Sequence, residues 1–181
     1  KCSQVLFDEV ERLGGQIFMS KTGHSHVKNN LKKFNADLAG EMSGHIFFAK
    51  DYYGFDDAFF AAVKVLEILN NNDKKLSDLV DEIPKVFNTP EIRIDCDDNK
   101  KFDIISKITE RQKRSKKQIT NIDGVRVFEK NGWWLLRASN TQPAIVLRCE
   151  SLTEDGLEFQ KRLVKNELSE FNIDIFEEII S

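Results

Sequence analysis

Apolar residues recur at helical spacing from the start of the chain, with Val5, Leu6, Val10 and Leu13 in SQVLFDEVERLGG. That spacing predicts an amphipathic helix, and Gly14-Gly15 supply its stop. QIFMS, residues 16–20, reads as a short strand, and HSHVKNNLKKF as a second helix. ADLAGE and HIFFAK then read as strands separated by a glycine-flanked turn. FDDAFFAAVKVLEILNNN is the strongest helical pattern in the sequence. Asp56 and Asp57 favour its positive N-terminal end, and the Asn run frays the other. LSDLVDEI is a shorter helix ended by Pro84. Helices alternating with short strands predict an α/β layer.

The rhythm changes after IPKVFNTPEI, whose Pro84 and Pro90 mark a linker. EIRIDC alternates as a strand and FDIISKITERQ reads as a helix. QITNID, GVRVFEK, WWLLRAS and AIVLRCE supply further strands, with strong turn dipeptides at Asp123-Gly124 and Asn131-Gly132. EDGLEFQKRLVKNEL closes the pattern with a helix. This half predicts a small α+β domain with an antiparallel sheet. The 181 residues suffice for two such cores, over 1–83 and 91–181, with 84–90 as linker and hinge.

Charge narrows the function classes. With 27 basic and 30 acidic residues the net charge is −3, which argues against a general polyanion binder, so no nucleic-acid partner is expected. The basic run from Lys100 to Lys117 reads as a solvated helix and loop. Three widely separated cysteines, Cys2, Cys96 and Cys149, have no paired spacing and imply reduced thiols in a cytoplasmic protein. No apolar run approaches the roughly 20 residues needed to span a bilayer, and no signal segment is visible. No membrane partner is expected. The chain opens at Lys1, already close to a helix, and reads as part of something longer.

Three stretches can carry chemistry. In RASNTQP, Arg137 offers a planar fork for a phosphate or carboxylate, Ser139 and Thr141 add hydroxyls, and Asn140 adds an amide. A tight turn there can also aim successive backbone N–H groups at an anion; the alternative is a polar hairpin tip. In AGEMSGHIFF, Glu41, Ser43 and His45 alternate, so an extended backbone would present all three to one side. A carboxylate, a hydroxyl and an imidazole suit a polyhydroxylated ligand, and a structural role for the histidine is the alternative. In SKTGHSHVK a helix start favours an anion, with Lys21, His24, His26 and Lys28 adding positive potential. The two histidines invite a metal reading, but no Cys or carboxylate lies at a familiar spacing, so no metal site is expected in this chain. No nucleotide-binding glycine loop and no nucleophile elbow is present.

Taken in order, KCS, KTGHS, AGEMSGHIFF, YGFDD, NTPEI, DGVRV, the tryptophan strand and RASNTQP resemble the C-terminal half of the α-D-phosphohexomutases. Met42, His45 and Asn140 favour the bacterial phosphomannomutase/phosphoglucomutase branch. The resemblance implies a four-domain enzyme that moves a phosphoryl group between the 1- and 6-positions of a hexose through a bisphosphorylated intermediate of the glucose 1,6-bisphosphate type. Residues 1–83 would be an N-terminally truncated third domain and 91–181 the fourth. The phosphoserine donor would lie in the missing first domain and the Mg²⁺ loop in the missing second. Glu41 and Ser43 would bind the sugar 3- and 4-hydroxyls. Arg137, Ser139, Asn140 and Thr141 would hold the phosphate that is not reacting. Lys1, His24 and His45 would lie toward the reacting end, stabilising charge or assisting proton transfer. The chain alone would bind hexose phosphates without turning them over. A stand-alone or complementing binding module is the second reading, and a remnant without a role the third.

Overall fold

The structure, a computed structural model, describes residues 1–173. It divides into two compact units, Lys1–Pro84 and Lys85–Ser181.

The first unit runs α1 (Gln4–Arg12), α2 (His24–Phe34), β1 (Leu38–Gly40), β2 (Ile46–Phe48), α3 (Ala58–Asn70) and α4 (Leu76–Asp81). Ser3 caps α1, its hydroxyl accepting from the Val5 N–H. Gly14, at φ +84°, ends it as the sequence predicts. The strands β1 and β2 pair antiparallel, Leu38 opposite Phe48 and Gly40 opposite Ile46. Their small core is Val27 and Leu31 from one face of α2 against Phe47, with Ala36, Ala39 and Ala49 around it. Residues 16–20 form no strand. Phe18 instead stacks on Phe34, ring centroids 4.2 Å apart, so side-chain packing rather than a ladder fixes this segment. The apolar helix α3 has no buried residue, and Phe59 is 89% exposed.

The second unit contains β3 (Phe87–Asn88), β4 (Ile92–Asp95), α5 (Asp98–Arg114), β5 (Ile119–Thr120), β6 (Val125–Glu129), β7 (Gly132–Ala138), β8 (Ala144–Ser151) and α6 (Glu154–Ser169). The sheet order is β3-β8-β7-β6-β5, with β4 also on β8. The segment expected as a linker is thus partly a strand: Phe87 and Asn88 pair with Ser151 and Glu150. Thr89 continues the edge, its N–H donating to the Cys149 carbonyl and its hydroxyl accepting from the Cys149 N–H, each at 3.0 Å. Pro90, which has no N–H, interrupts it before β4 resumes.

The period-two alternation divides this sheet into two faces. Val125, Val127, Trp134, Leu136, Ala138, Ile145, Leu147 and Cys149 face α5 and α6, meeting Ile104, Ile105, Ile108, Leu157, Val164 and Leu168 in one core. Trp133, Leu135 and Arg137 take the opposite face. There Arg126 lies over the Trp133 ring at 3.8 Å, and the indole N–H of Trp133 donates to Glu150 at 2.9 Å. Both predicted turns form, with Gly124 at φ +84° and Asn131 at φ +69°.

Candidate functional site

The loop after β7 is built from the sheet outward. Arg137 is the penultimate residue of β7, opposite Val146 of β8, and only 7% exposed. Its Nε lies 3.2 Å from Asp123 Oδ2. Gly124 makes that approach possible: a Cβ there would stand 2.5 Å from the Arg137 Cβ and 2.4 Å from the Leu136 carbonyl. Nε is nevertheless buried without a hydrogen bond, and among the described residues the two terminal guanidinium nitrogens, which keep access to solvent, donate none. A buried cation with unused donors calls for an anionic partner.

Ser139 is also buried, and its hydroxyl oxygen accepts from the N–H groups of Thr141 (3.3 Å) and Gln142 (3.2 Å). These are the N–H groups that an anion nest would have used, so Ser139 takes that acceptor position itself. Asn140 and Thr141 are exposed at the tip. The far side is braced by residues that sequence reasoning missed. Lys101, 4% exposed, donates to the Gln142 carbonyl at 2.7 Å and pairs with Asp98 at 2.5 Å, and Arg93 reaches the Gln142 side chain. The expectation of a solvated basic helix is corrected at Lys101. It shares a face of α5 with Ile104, Ile105 and Ile108, and that spacing was the available signal.

In the first unit, Glu41, Ser43 and His45 do not alternate along an extended strand. Residues 41–45 are the tip of the β1–β2 hairpin, closed by Glu41 N–H to the His45 carbonyl and Gly44 N–H to the Glu41 carbonyl, both 2.9 Å. Gly44 turns the chain at φ +90°. Ser43 is exposed there. Glu41 folds back so that its carboxylate accepts from the Gly23 N–H at 2.8 Å. The anion at the start of α2 is therefore the chain's own carboxylate, which the helix dipole favours. Lys1 is half-buried ahead of α1. His26 is exposed, and Lys21 and Lys28 are exposed as well.

His24 and His45 do come together. Their rings meet edge to face with centroids 4.5 Å apart, and His24 also stands edge-on to Phe47 at 5.3 Å. Asp56 joins them, its Oδ2 2.6 Å from His45 Nδ1 and 3.5 Å from His24 Nε2. An ionised carboxylate only accepts, so in this pairing His45 Nδ1 carries the proton and Nε2 is left for a ligand. A β-bridge between Phe47 and Asp56 sets this position. Asp57, the next residue, takes the capping role, accepting from the Phe60 N–H at 2.9 Å and from the Tyr52 hydroxyl at 2.6 Å. Tyr52 and the N–H of Phe60 hold the Asp57 carboxyl below its ordinary range.

The acidic run Asp95-Cys96-Asp97-Asp98 leads from the end of β4 into α5. Asp97 caps α5 by accepting from the Asn99 N–H at 2.8 Å, and Asp98 pairs with Lys101. Among the described residues, no helix is long and apolar enough to cross a membrane.

Residues 1–87 match the family domain described as phosphoglucomutase/phosphomannomutase, alpha/beta/alpha domain III. Residues 91–164 match phosphoglucomutase/phosphomannomutase, C-terminal domain. A phosphomannomutase/phosphoglucomutase of Pseudomonas putida is 42% identical over 168 residues, 93% of this chain and 36% of the relative. A phosphoglucomutase of Neisseria gonorrhoeae is 38% identical over 160 residues, covering 87% of this chain and 35% of the relative. A crystal structure of a phosphoglucomutase/phosphomannomutase family protein from Burkholderia thailandensis superposes with a TM-score of 0.83 at 36% identity, over 92% of this chain and 35% of that one. The chain thus spans 36% of the length of the first curated relatives it matches.

Proposed function

The chain belongs to the phosphoglucomutase/phosphomannomutase family, and from that premise we propose that it is the substrate-recognising C-terminal portion of an enzyme interconverting hexose 1-phosphate and hexose 6-phosphate. The observation that carries this reading is Arg137, a guanidinium buried at the base of an exposed polar loop with unused donors. A phosphate fits that fork bidentately. Arg137 grips the phosphate that is not reacting, and Asn140 and Thr141 add their side chains. Ser139 shapes the loop and keeps its own O–H to donate. In the first unit Glu41 and Ser43 recognise sugar hydroxyls, and Lys1, His24 and His45 serve the reacting end. With Nδ1 held by Asp56, His45 Nε2 is the atom that would exchange a proton with a hexose hydroxyl.

Phosphoryl transfer rewards positioning and charge stabilisation, and gripping the distal phosphate supplies binding energy for both. The phosphoryl donor and the Mg²⁺ are assigned to parts of the enzyme outside this chain; of its own acidic run at 95–98, Asp97 caps α5 and Asp98 pairs with Lys101. The chain alone binds hexose phosphates without converting them, and it resides in the cytoplasm.

Calorimetric titration of the chain with glucose 6-phosphate tests the reading. Arg137→Ala should weaken binding by about 1.5–3 kcal/mol, the worth of a charge-assisted contact. Equal affinity in the variant would move the phosphate elsewhere, and turnover of glucose 1-phosphate by the purified chain would overturn the division of labour.

A further inference from the structure

The corner between β4 and α5 grips the exit of the RASNTQP loop at three points. The Lys101 ammonium donates to the Gln142 carbonyl at 2.7 Å, the Cys96 N–H donates to the Pro143 carbonyl at 2.9 Å, and Arg93 reaches the Gln142 side chain. We propose that Lys101 is a positioning residue for sugar-phosphate binding, one that spends its donors on the protein and holds the loop in the shape that receives the phosphate. This role rests on the phosphate grip proposed above and adds to it the group that preorganises the loop.

Burial is what makes Lys101 informative. It lies on the face of α5 that carries Ile104, Ile105 and Ile108 into the core, and it is 4% exposed. An apolar side chain ordinarily stands at such a position. A buried ammonium is desolvated, and pairing recovers that cost only in part. Its carboxylate partner Asp98, at 2.5 Å, is itself 65% exposed, so water screens the pair. Fold stability would be served as well by an apolar side chain. Holding a loop carbonyl is different: the ammonium brings donors on a long stem, and an apolar residue of the same reach brings none.

Gln142 carries the restraint into the loop. Its carbonyl accepts from Lys101 and also from the Ala144 N–H at 2.8 Å. Its own N–H donates to the Ser139 hydroxyl oxygen at 3.2 Å, beside the Thr141 N–H at 3.3 Å. Fixing the Gln142 carbonyl therefore fixes the peptide that closes the Ser139 turn, and with it the exposed residues Asn140 and Thr141. Without Lys101 the tip must be ordered by the ligand itself, and affinity falls by the fraction of time the loop is competent. Arg137 keeps its own place on β7, so the loss is smaller than for removing the guanidinium.

The test compares Lys101→Met with Arg137→Ala, each in the full chain. Calorimetric titration with glucose 6-phosphate should show Lys101→Met weakened about three- to tenfold, a competent fraction of roughly one third to one tenth. Urea unfolding should find it no less stable than the native chain. Backbone ¹⁵N relaxation should show the order parameters of Asn140, Thr141 and Gln142 falling below about 0.6 in Lys101→Met, while Leu136 and Leu147 stay near about 0.85. Unchanged affinity in Lys101→Met beside a weakened Arg137→Ala would overturn the positioning role and leave the phosphate grip standing. Unchanged affinity in both would remove the grip, and the role with it. A Lys101→Met chain that fails to fold, or one that binds weakly with an equally rigid loop, would also overturn the role.

Discussion

Arg137→Met should make the second unit no less stable in the absence of ligand while removing most of its stabilisation by sugar phosphate. Methionine keeps an apolar stem of similar reach and deletes the guanidinium. In the free chain Nε is the guanidinium nitrogen buried without a hydrogen bond, and that costs about 1–3 kcal/mol, which the substitution recovers. Against this stands the loss of the Asp123 pair. Asp123 is 24% exposed and retains water, so that loss costs about 1 kcal/mol. The free variant should therefore be about 0–2 kcal/mol more stable. With ligand the order reverses. At 100 times its dissociation constant, a sugar phosphate stabilises the native chain by about 2.7 kcal/mol. A site weakened by about 1.5–3 kcal/mol binds roughly 12- to 160-fold less tightly. At the same concentration it gains only about 0.3–1.3 kcal/mol. Urea unfolding followed by tryptophan fluorescence reads both effects, since Trp133 and Trp134 lie buried on the same strand. Equal ligand-induced shifts in the two proteins would refute the phosphate assignment. A free variant destabilised by several kcal/mol would show that the guanidinium is satisfied after all and is structural.

Three further outcomes test the fold. Burial pushes the Cys149 thiol up to about 12, so a thiol reagent at pH 8 should label Cys149 only as the second unit unfolds; three equivalents reacting at once in native buffer would contradict this burial. Asp57 is held below its ordinary value, first by the Tyr52 hydroxyl and then by the Phe60 N–H. A depressed folded value means a contribution that is complete above about pH 5 and lost as pH falls through the lowered value. Asp57→Asn should accordingly flatten the decline in stability between about pH 5 and 3, and parallel curves for the two proteins would argue against the cap. Both polar side-chain atoms of Gln160 are buried without a partner among the described residues; Gln160→Met, close in volume, should stabilise by about 1 kcal/mol in denaturant titration. A loss of that size would mean the amide is paired.

Legibility in the sequence divides along a physical line. Wherever a long element buries one face, its period betrays it: α2, α5, α6 and the β6–β7–β8 meander all stand where the spacing puts them. The two Gly turns are equally plain, because Gly124 and the residue before Gly132 adopt positive φ. Short segments fixed by a partner were not legible. Residues 16–20 contain enough apolar character for a strand, yet Phe18 is held by one ring stack on Phe34. Residues 87–88 sit in a proline-flanked run that reads as a linker, and only the distant β8 makes them a strand.

The site follows the same division. Arg137, Asn140 and Thr141 could be chosen from residue type and loop position, but whether Arg137 lay free in solvent depended on Asp123, fourteen positions earlier across the turn that Gly124 permits. The alternation proposed for Glu41, Ser43 and His45 conflicted with the glycine-flanked turn read in the same stretch. A period-two argument cannot pass through a turn, because Gly44 at φ +90° reverses the chain between Ser43 and His45. Asp56 and Asp57 show the limit most clearly. Both were read as acids at one helix start, a role set by position along one element. The structure gives that role to Asp57 alone, and the β-bridge to Phe47 turns Asp56 to the histidines. Local pattern names the residues able to cap a helix, but strand pairing decides which one is left over, and that second residue completes the imidazole–carboxylate group.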